Sequence, residues 1–134
     1  MSASSSQLKF FVDRSFGNKV PQLLREAGFD LTTLSEHYGN TEGQSIKDET
    51  WLQLAGENRW PILTADTKIR YRASEKKALI DYKAQVFMLP SKNLPATQEA
   101  ERFITHKNAI EKKCAQEGPF VISVTKQRLQ TLKI

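Results

Sequence analysis

Short apolar runs alternate with amphipathic stretches along this chain, and that alternation constrains the fold more than any other feature. Each run is too short to be a typical helix and is bounded by polar or turn-forming residues, as expected for buried strands. The runs lie at residues 8–12, 29–34, 61–64, 85–89 and 120–124. Parallel strands need long crossover connections, which are usually helical, so the pattern predicts an α/β fold.

The stretches between the runs have helical periodicity. One helix has Pro21 in its first turn, where a missing N–H costs nothing, and ends at Gly28. A second begins near Ser45, which stands three residues before Asp48 as in a capping box. Further helices are predicted at residues 74–83 and 97–116, with loops at 35–43 and 90–95 and no defined element in the last ten residues. The order β-α-β-α-β-α-β-α-β predicts a mainly parallel sheet of about five strands with helices on both faces.

Length and composition restrict the class of protein. The 134 residues suit a single domain, which we expect over residues 8–134 after a disordered tail at residues 1–7. The tail lacks the basic and apolar regions of a signal peptide, and no apolar run is long enough to cross a membrane. The single cysteine, Cys114, excludes an internal disulfide, and we expect a cytoplasmic protein. The net charge of +5 favours polyanionic partners.

Acidic residues follow two of the predicted strands. Asp13 and Asp66 each come just after an apolar run, and Asp48 opens the helix that leads into the third strand. Because ligands of open α/β sheets bind at the carboxyl ends of the strands, these three side chains are expected to converge. Converging carboxylates repel one another unless a cation is present, and Mg²⁺ and Mn²⁺ prefer oxygen ligands. The pattern therefore predicts a divalent-metal site suited to phosphodiester hydrolysis.

Each of these acids also has a purely structural interpretation. Asp13 and Asp66 could be turn residues that bond the backbone two positions on. Asp48 could complete a capping box with Ser45, and the neighbouring Glu49 could be the ligand in its place.

Basic side chains lie close to the acids in the sequence. Arg14 follows Asp13, and Lys68, Arg70 and Arg72 follow Asp66. Arginine pairs with phosphate through two parallel hydrogen bonds, so these four residues are candidates for RNA binding. A solvated basic face is the alternative for any one of them.

Three segments of the chain resemble PIN-like domains. They are residues 11–17, which carry Asp13, residues 48–56, which begin with Asp48, and residues 60–66, which end in Thr64-Ala65-Asp66. The continuation over residues 67–72 resembles the VapC45-type branch of the PIN-like toxins found in bacterial toxin–antitoxin pairs. The resemblance implies a PIN-like three-layer α/β/α sandwich.

The resemblance also implies a function. It implies a Mg²⁺- or Mn²⁺-dependent endoribonuclease that an antitoxin protein inhibits, and a possible homodimer. Asp13, Asp48 and Asp66 match the acidic cluster of the family, and Thr64 matches the hydroxyl residue that commonly precedes the last acid. Many PIN domains have a further acid where this chain has Lys68, which predicts a single metal ion or weak binding. Glu75 could replace that acid, although an acid at a helix start is its simpler interpretation.

Two other functions fit parts of the pattern. One is a catalytically weak or inactive RNA-binding or regulatory module with the same fold and basic surface. The other is a different hydrolase with a strand-end aspartate, but phosphatase-like enzymes require a second Asp two residues after the first, where this chain has Ser15.

Overall fold

The computed structural model describes residues 8–90 and 93–134. Its strands are β1 (Phe10–Val12), β2 (Leu31–Thr33), β3 (Ile62–Thr64), β4 (Gln85–Met88), β5 (Phe120–Val124) and β6 (Leu129–Leu132). They form one sheet in the order β2-β1-β3-β4-β5-β6, in which only the β5–β6 pair is antiparallel. The predicted α/β fold with a mainly parallel sheet is confirmed.

Helices cover both faces of the sheet. They are α1 (Lys19–Glu26), α2 (Leu34–Tyr38), α3 (Asn40–Ser45), α4 (Asp48–Glu57), α5 (Ala73–Asp81), α6 (Ala96–Thr105) and α7 (Lys107–Cys114). Successive strand residues point to opposite faces, so Phe10 and Val12 pack into one core while Phe11 packs into the other. The result is the three-layer sandwich that the resemblance implied.

Different helices contribute side chains to the two cores. The first contains Leu24 of α1, Phe103 of α6 and Ile110 of α7, and the second contains Trp51 of α4 and Leu79 of α5. The central strands are buried on both sides, which explains why their sequences are continuously apolar and do not alternate with polar residues.

The prediction of a loop at residues 35–43 is wrong. That segment contains α2 and most of α3. Thr33 caps α2 in a reciprocal capping box: its Oγ1 accepts from the N–H of Glu36 (3.1 Å), and its own N–H donates to Glu36 Oε1 (3.0 Å). The capping box therefore forms at this helix, although the polar composition of the segment had favoured a loop.

The capping box predicted at Ser45 is also wrong. Helix α4 begins at Asp48, and the residue at its N-cap position, Lys47, makes no side-chain capping bond. Ser45 is the last residue of α3, and its hydroxyl donates to the carbonyl of Glu42 in that same helix. Asp48 is consequently the first residue of the helix, and its carboxylate does not close a capping box with Ser45.

The long helix predicted at residues 97–116 is two helices, α6 and α7, which meet at His106. The His106 ring donates from Nε2 to the carbonyl of Thr125 (2.9 Å), at the turn between β5 and β6. Strand β6, which was not predicted, returns from that turn and pairs with β5. The break at His106 coincides with a contact 19 residues away along the chain, whereas β6 forms by pairing with the strand just before it.

The disordered tail predicted at residues 1–7 lies outside the described residues, as do residues 91 and 92 of the loop predicted at 90–95. Within residues 8–90 and 93–134, no helix combines the length and apolarity needed to cross a bilayer.

Candidate active site

Three carboxylates meet at the carboxyl edge of the sheet. Asp48 is the first residue of α4, Asp66 follows β3, and Glu75 lies in the first turn of α5. One carboxylate oxygen from each lies within 4.8 Å of the other two. We call Asp48, Asp66 and Glu75 the acidic cluster.

Asp13 lies beside this cluster and accepts hydrogen bonds from two neighbouring residues. It is buried at the end of β1, next to β3, with only 6% of its surface exposed. Its Oδ2 accepts from the Thr64 hydroxyl (2.6 Å), and its Oδ1 accepts from the N–H (3.0 Å) and hydroxyl of Ser15. The Thr64 hydroxyl in turn accepts from the N–H of Asp66 (3.0 Å). Thr64 therefore connects Asp13 to the backbone of Asp66.

Burial makes the charged form of two of these acids costly. Desolvation raises the pKa of Asp13 to about 6, against the lowering effect of its hydrogen bonds from Ser15 and Thr64. Desolvation also raises the pKa of Glu75, and the charges of Asp48 and Asp66 raise it further, while the hydrogen bond from Arg72 lowers it. A nearby cation would stabilise the charged form of both acids.

Arg72 supplies positive charge to all three members of the cluster. Its Nη1 lies 2.8 Å from Asp66 Oδ2, 2.5 Å from Glu75 Oε1 and 3.9 Å from Asp48 Oδ2. Its Nη2 donates to Asp66 Oδ1 (3.1 Å), and these hydrogen bonds raise the pKa of the guanidinium. The guanidinium thus neutralises part of the negative charge of the acidic cluster.

Asp48 is positioned by two neighbours. The indole of Trp51 donates to Asp48 Oδ1 (2.9 Å), and Arg14 Nη2 lies 3.8 Å from the same oxygen. Trp51 itself is buried, so its ring belongs to the core. Of the two adjacent acids considered as ligands, Asp48 contributes to the acidic cluster and Glu49 is outside it.

The candidate RNA-binding residues have different surroundings. Arg14 and Lys68 are exposed, and Arg14 also donates to the Ile46 carbonyl. Arg70 lies against the Tyr71 ring and donates to the carbonyl of Lys133 (2.8 Å), so its guanidinium attaches the C-terminal segment. Arg72 contacts the acids, as described above. Arg72 is exposed too, but its guanidinium is paired with the acids. Arg14 and Lys68 are therefore the bases best placed to meet a ligand at the carboxyl edge of the sheet that carries Asp13 and the acidic cluster, which we call the acidic edge.

The donor set of the cluster fits a hard divalent cation. All three members offer carboxylate oxygens, the ligand type that Mg²⁺ and Mn²⁺ prefer. The three oxygens lie within 4.8 Å of one another, so a cation held by all three would draw the carboxylates closer together.

Sequence reasoning underestimated the part that Glu75 plays in the site. It is indeed a first-turn acid of its helix, but it is also buried in the acidic cluster. A signal was present in the sequence, since Glu75, Ala78 and Leu79 share the i, i+3, i+4 spacing of one helix face. An acid in line with an apolar face faces the interior, where it needs a partner.

The comparisons with known proteins agree with the fold. A family model described as "PIN like domain" matches residues 8–91. A protein of Mycobacterium tuberculosis named "Putative ribonuclease VapC45" is 43% identical over 115 residues, which cover 85% of this chain and 83% of that protein. No solved structure matches the chain. The family match over more than half of the chain, together with the identity to this relative, shows that the chain belongs to the PIN-like domain family.

Proposed function

We propose that this protein is a metal-dependent endoribonuclease that hydrolyses RNA phosphodiester bonds and acts as the toxin of a toxin–antitoxin pair. The observation that carries the proposal is the convergence of Asp13 and the acidic cluster from four separate elements onto one sheet edge. The Mycobacterium tuberculosis relative, which is named a ribonuclease, supports RNA as the substrate.

Asp48, Asp66 and Glu75 would hold the cation, which we propose is Mg²⁺ or Mn²⁺. When bound, such an ion lowers the pKa of a water and neutralises charge that develops on the phosphate. Asp13 adds negative charge beside that position, and Thr64 keeps its carboxylate oriented through a 2.6 Å hydrogen bond. Arg14 and Lys68 would hold the phosphodiester through the non-bridging oxygens.

We propose a single cation because the position two residues beyond Asp66 is Lys68. A lysine supplies no ligand for a second ion, but its ammonium can stabilise negative charge on the phosphate as the bond breaks.

The remaining proposals rest on the length and composition of the chain and on the family resemblance. We propose a single cytoplasmic domain over residues 8–134, an antitoxin protein as inhibitor, and a homodimer. Size-exclusion chromatography with light scattering, with and without a co-expressed partner, measures both associations.

The experiment that tests the activity is cleavage of a labelled total-RNA pool by purified protein in Mg²⁺, in Mn²⁺ and in EDTA. Asp13→Asn and Asp66→Asn should each abolish cleavage, because each removes a carboxylate charge at the acidic edge. Asp30→Asn is the matched control, since Asp30 is an exposed aspartate just before β2, outside the acidic cluster. Cleavage that persists in EDTA or in both site variants would contradict the proposed mechanism.

One observation favours a second function, a non-catalytic RNA-binding module. Arg72 contacts all three acids of the cluster, so part of their negative charge is neutralised in the folded protein without a cation. RNA that stays intact in every lane, while binding is equally tight in Mg²⁺ and in EDTA, would establish this alternative.

A further inference from the structure

A cavity of about 500 Å³ opens next to the acidic edge, between α1 on one side and α2 and α3 on the other. Asp13 and Arg14 form part of its lining. Arg14 also lies 3.8 Å from Asp48 of the acidic cluster. A molecule in this cavity would therefore lie beside the site at which the proposed function places the scissile phosphodiester.

Three side-chain carboxamides line this cavity, from Asn18, Asn40 and Gln44. All three residues are exposed, and none of their side chains makes a hydrogen bond to any residue in 8–90 or 93–134. Each carboxamide offers two N–H donors and a carbonyl acceptor on adjacent atoms. Nucleobase edges present the same mixture of donors and acceptors, and Asn and Gln are common partners of base edges.

Helix α3 is placed so that two of the carboxamides reach the cavity from one side. Asn40 and Gln44 are four residues apart and share a helix face. Between them, Gly43 packs so closely on α2 that a Cβ would lie 2.9 Å from Leu34 Cδ2 and 3.3 Å from Ser35 Cα. A glycine at this position therefore allows α3 to form the cavity wall.

The remaining lining suits a flat, uncharged group. Phe16, Pro21 and Leu34 are buried and give the cavity an apolar surface, on which the plane of a base can pack. Arg14 is the only cation among the described residues that line the cavity, and Asp13 is the only anion. A second phosphate would meet mostly neutral amides, so the lining favours a base over a phosphate.

We propose that this cavity is a base-binding subsite, in which Asn18, Asn40 and Gln44 read one nucleobase next to the scissile phosphodiester and set the sequence preference of cleavage. The position of the base relative to the cut rests on the proposed nuclease function, whereas binding of a base does not.

The first test locates bound RNA without requiring cleavage. Single-stranded RNA of random sequence with 4-thiouridine is irradiated with the wild-type protein in EDTA, and cross-linked peptides are identified by mass spectrometry. We expect cross-links within residues 12–21 or 33–44, which contain the lining side chains. Cross-links confined to other segments would overturn the proposal, and an absence of cross-links would do so as well.

The second test measures specificity. Wild type, the double variant Asn40→Ala/Gln44→Ala and the control Gln98→Ala cut an RNA pool with a randomised centre, and the new ends are sequenced. Gln98 is an exposed helical glutamine outside the cavity, on α6. We expect base preference at one position beside the cut to fall about tenfold in the double variant, as expected on losing a specific base contact. We expect the control to keep the wild-type preference.

The two tests separate failure of the subsite from failure of the nuclease. If the wild type cuts with a base preference and the double variant keeps that preference, the subsite proposal is overturned. The proposed nuclease function would then still stand. Wild type that cuts nothing would contradict the proposed function, and the cross-linking result would then decide alone whether the cavity binds a base. Equal thermal midpoints for the three proteins show that the substitutions have not altered folding.

Discussion

Asp13 is the most deeply buried acid at the acidic edge, and its ionisation opposes folding. Its pKa in the folded protein is about 6, above its ordinary value of 3.8, so the folded state binds more protons between these two values. The contribution of Asp13 to stability is therefore most favourable below pH 4 and is lost as the pH rises through 6. A site that holds a cation there would recover this loss.

Asp13→Asn should therefore stabilise the protein in EDTA at pH 8 while abolishing cleavage. The amide is uncharged at every pH, which removes the desolvation cost, and we expect a gain of about 1–3 kcal/mol in the free energy of unfolding. Urea unfolding at pH 4 and pH 8 measures it, and the gain should shrink towards pH 4. A variant that is less stable than wild type at pH 8 would show that the hydrogen bonds from Ser15 and Thr64 outweigh desolvation.

Arg72 compensates the acidic cluster with its guanidinium, at the position where a cation would also be attracted. Arg72→Gln should lower the thermal midpoint in EDTA by about 3–5 °C, because three neighbouring carboxylates lose their partner. Mn²⁺ should then raise the midpoint of the variant more than that of wild type, since the ion no longer competes with the guanidinium.

The control for Arg72 is Lys77→Gln. It removes the same charge from the same segment and breaks an exposed ion pair with Asp81, away from the acidic cluster. It should leave the response to Mn²⁺ unchanged. Equal Mn²⁺ responses in wild type and Arg72→Gln would show that the guanidinium and the ion do not compete.

At the scale of elements, the short helices α2 and α3 form one wall of the cavity. Thr33 caps α2 through two reciprocal hydrogen bonds with Glu36, and Glu36 is also paired with Arg25 at 2.5 Å. That pairing lowers the pKa of Glu36. Because short helices gain little from propensity, the cap contributes a large share of their stability.

Thr33→Ala should cost about 1 kcal/mol of unfolding free energy, the usual effect of losing an N-cap. Ser45→Ala should change it by less than about 0.5 kcal/mol, because the Ser45 hydroxyl bonds a carbonyl within its own helix, α3, and caps no helix N-terminus. Chemical denaturation of the two variants makes the comparison. A larger loss for Ser45→Ala than for Thr33→Ala would contradict the assignment of the capping box.

At the scale of the whole molecule, the net charge of +5 should attract RNA, and Arg14 and Lys68 beside the acidic edge should contact its phosphates. Binding in EDTA should weaken as salt increases, because each phosphate contact releases counterions. Lys68→Ala should reduce the slope of log K against log salt by about 0.7, the value for one contact to a single strand. Fluorescence anisotropy with labelled RNA measures the slope.

The matched control is Lys112→Ala. Lys112 is an exposed lysine near the C-terminal end of α7. Gln85, the first residue of β4, donates to the Cys114 carbonyl and holds this end of α7 at the amino edge of the sheet, opposite the acidic edge. The slope should not change in this variant. An equal reduction for both lysines would indicate that RNA responds to total charge and does not contact Lys68.

The sequence by itself determined the features that depend on neighbouring residues. Apolar runs marked β1, β3 and β5 most clearly, because a strand buried on both faces has no polar side, and Asp13 and Asp66 stand just after two of those strands. Only the tertiary structure decided what depends on distant partners. The helix boundary at His106 coincides with its bond to Thr125, and Glu75 joins Asp48 and Asp66 because three elements pack together. Strand β6 lies close to its partner β5 in the sequence, but it too is defined by that pairing. Local sequence patterns do not predict such partners, because pairing, burial and charge compensation arise only when separate segments come together in the folded protein.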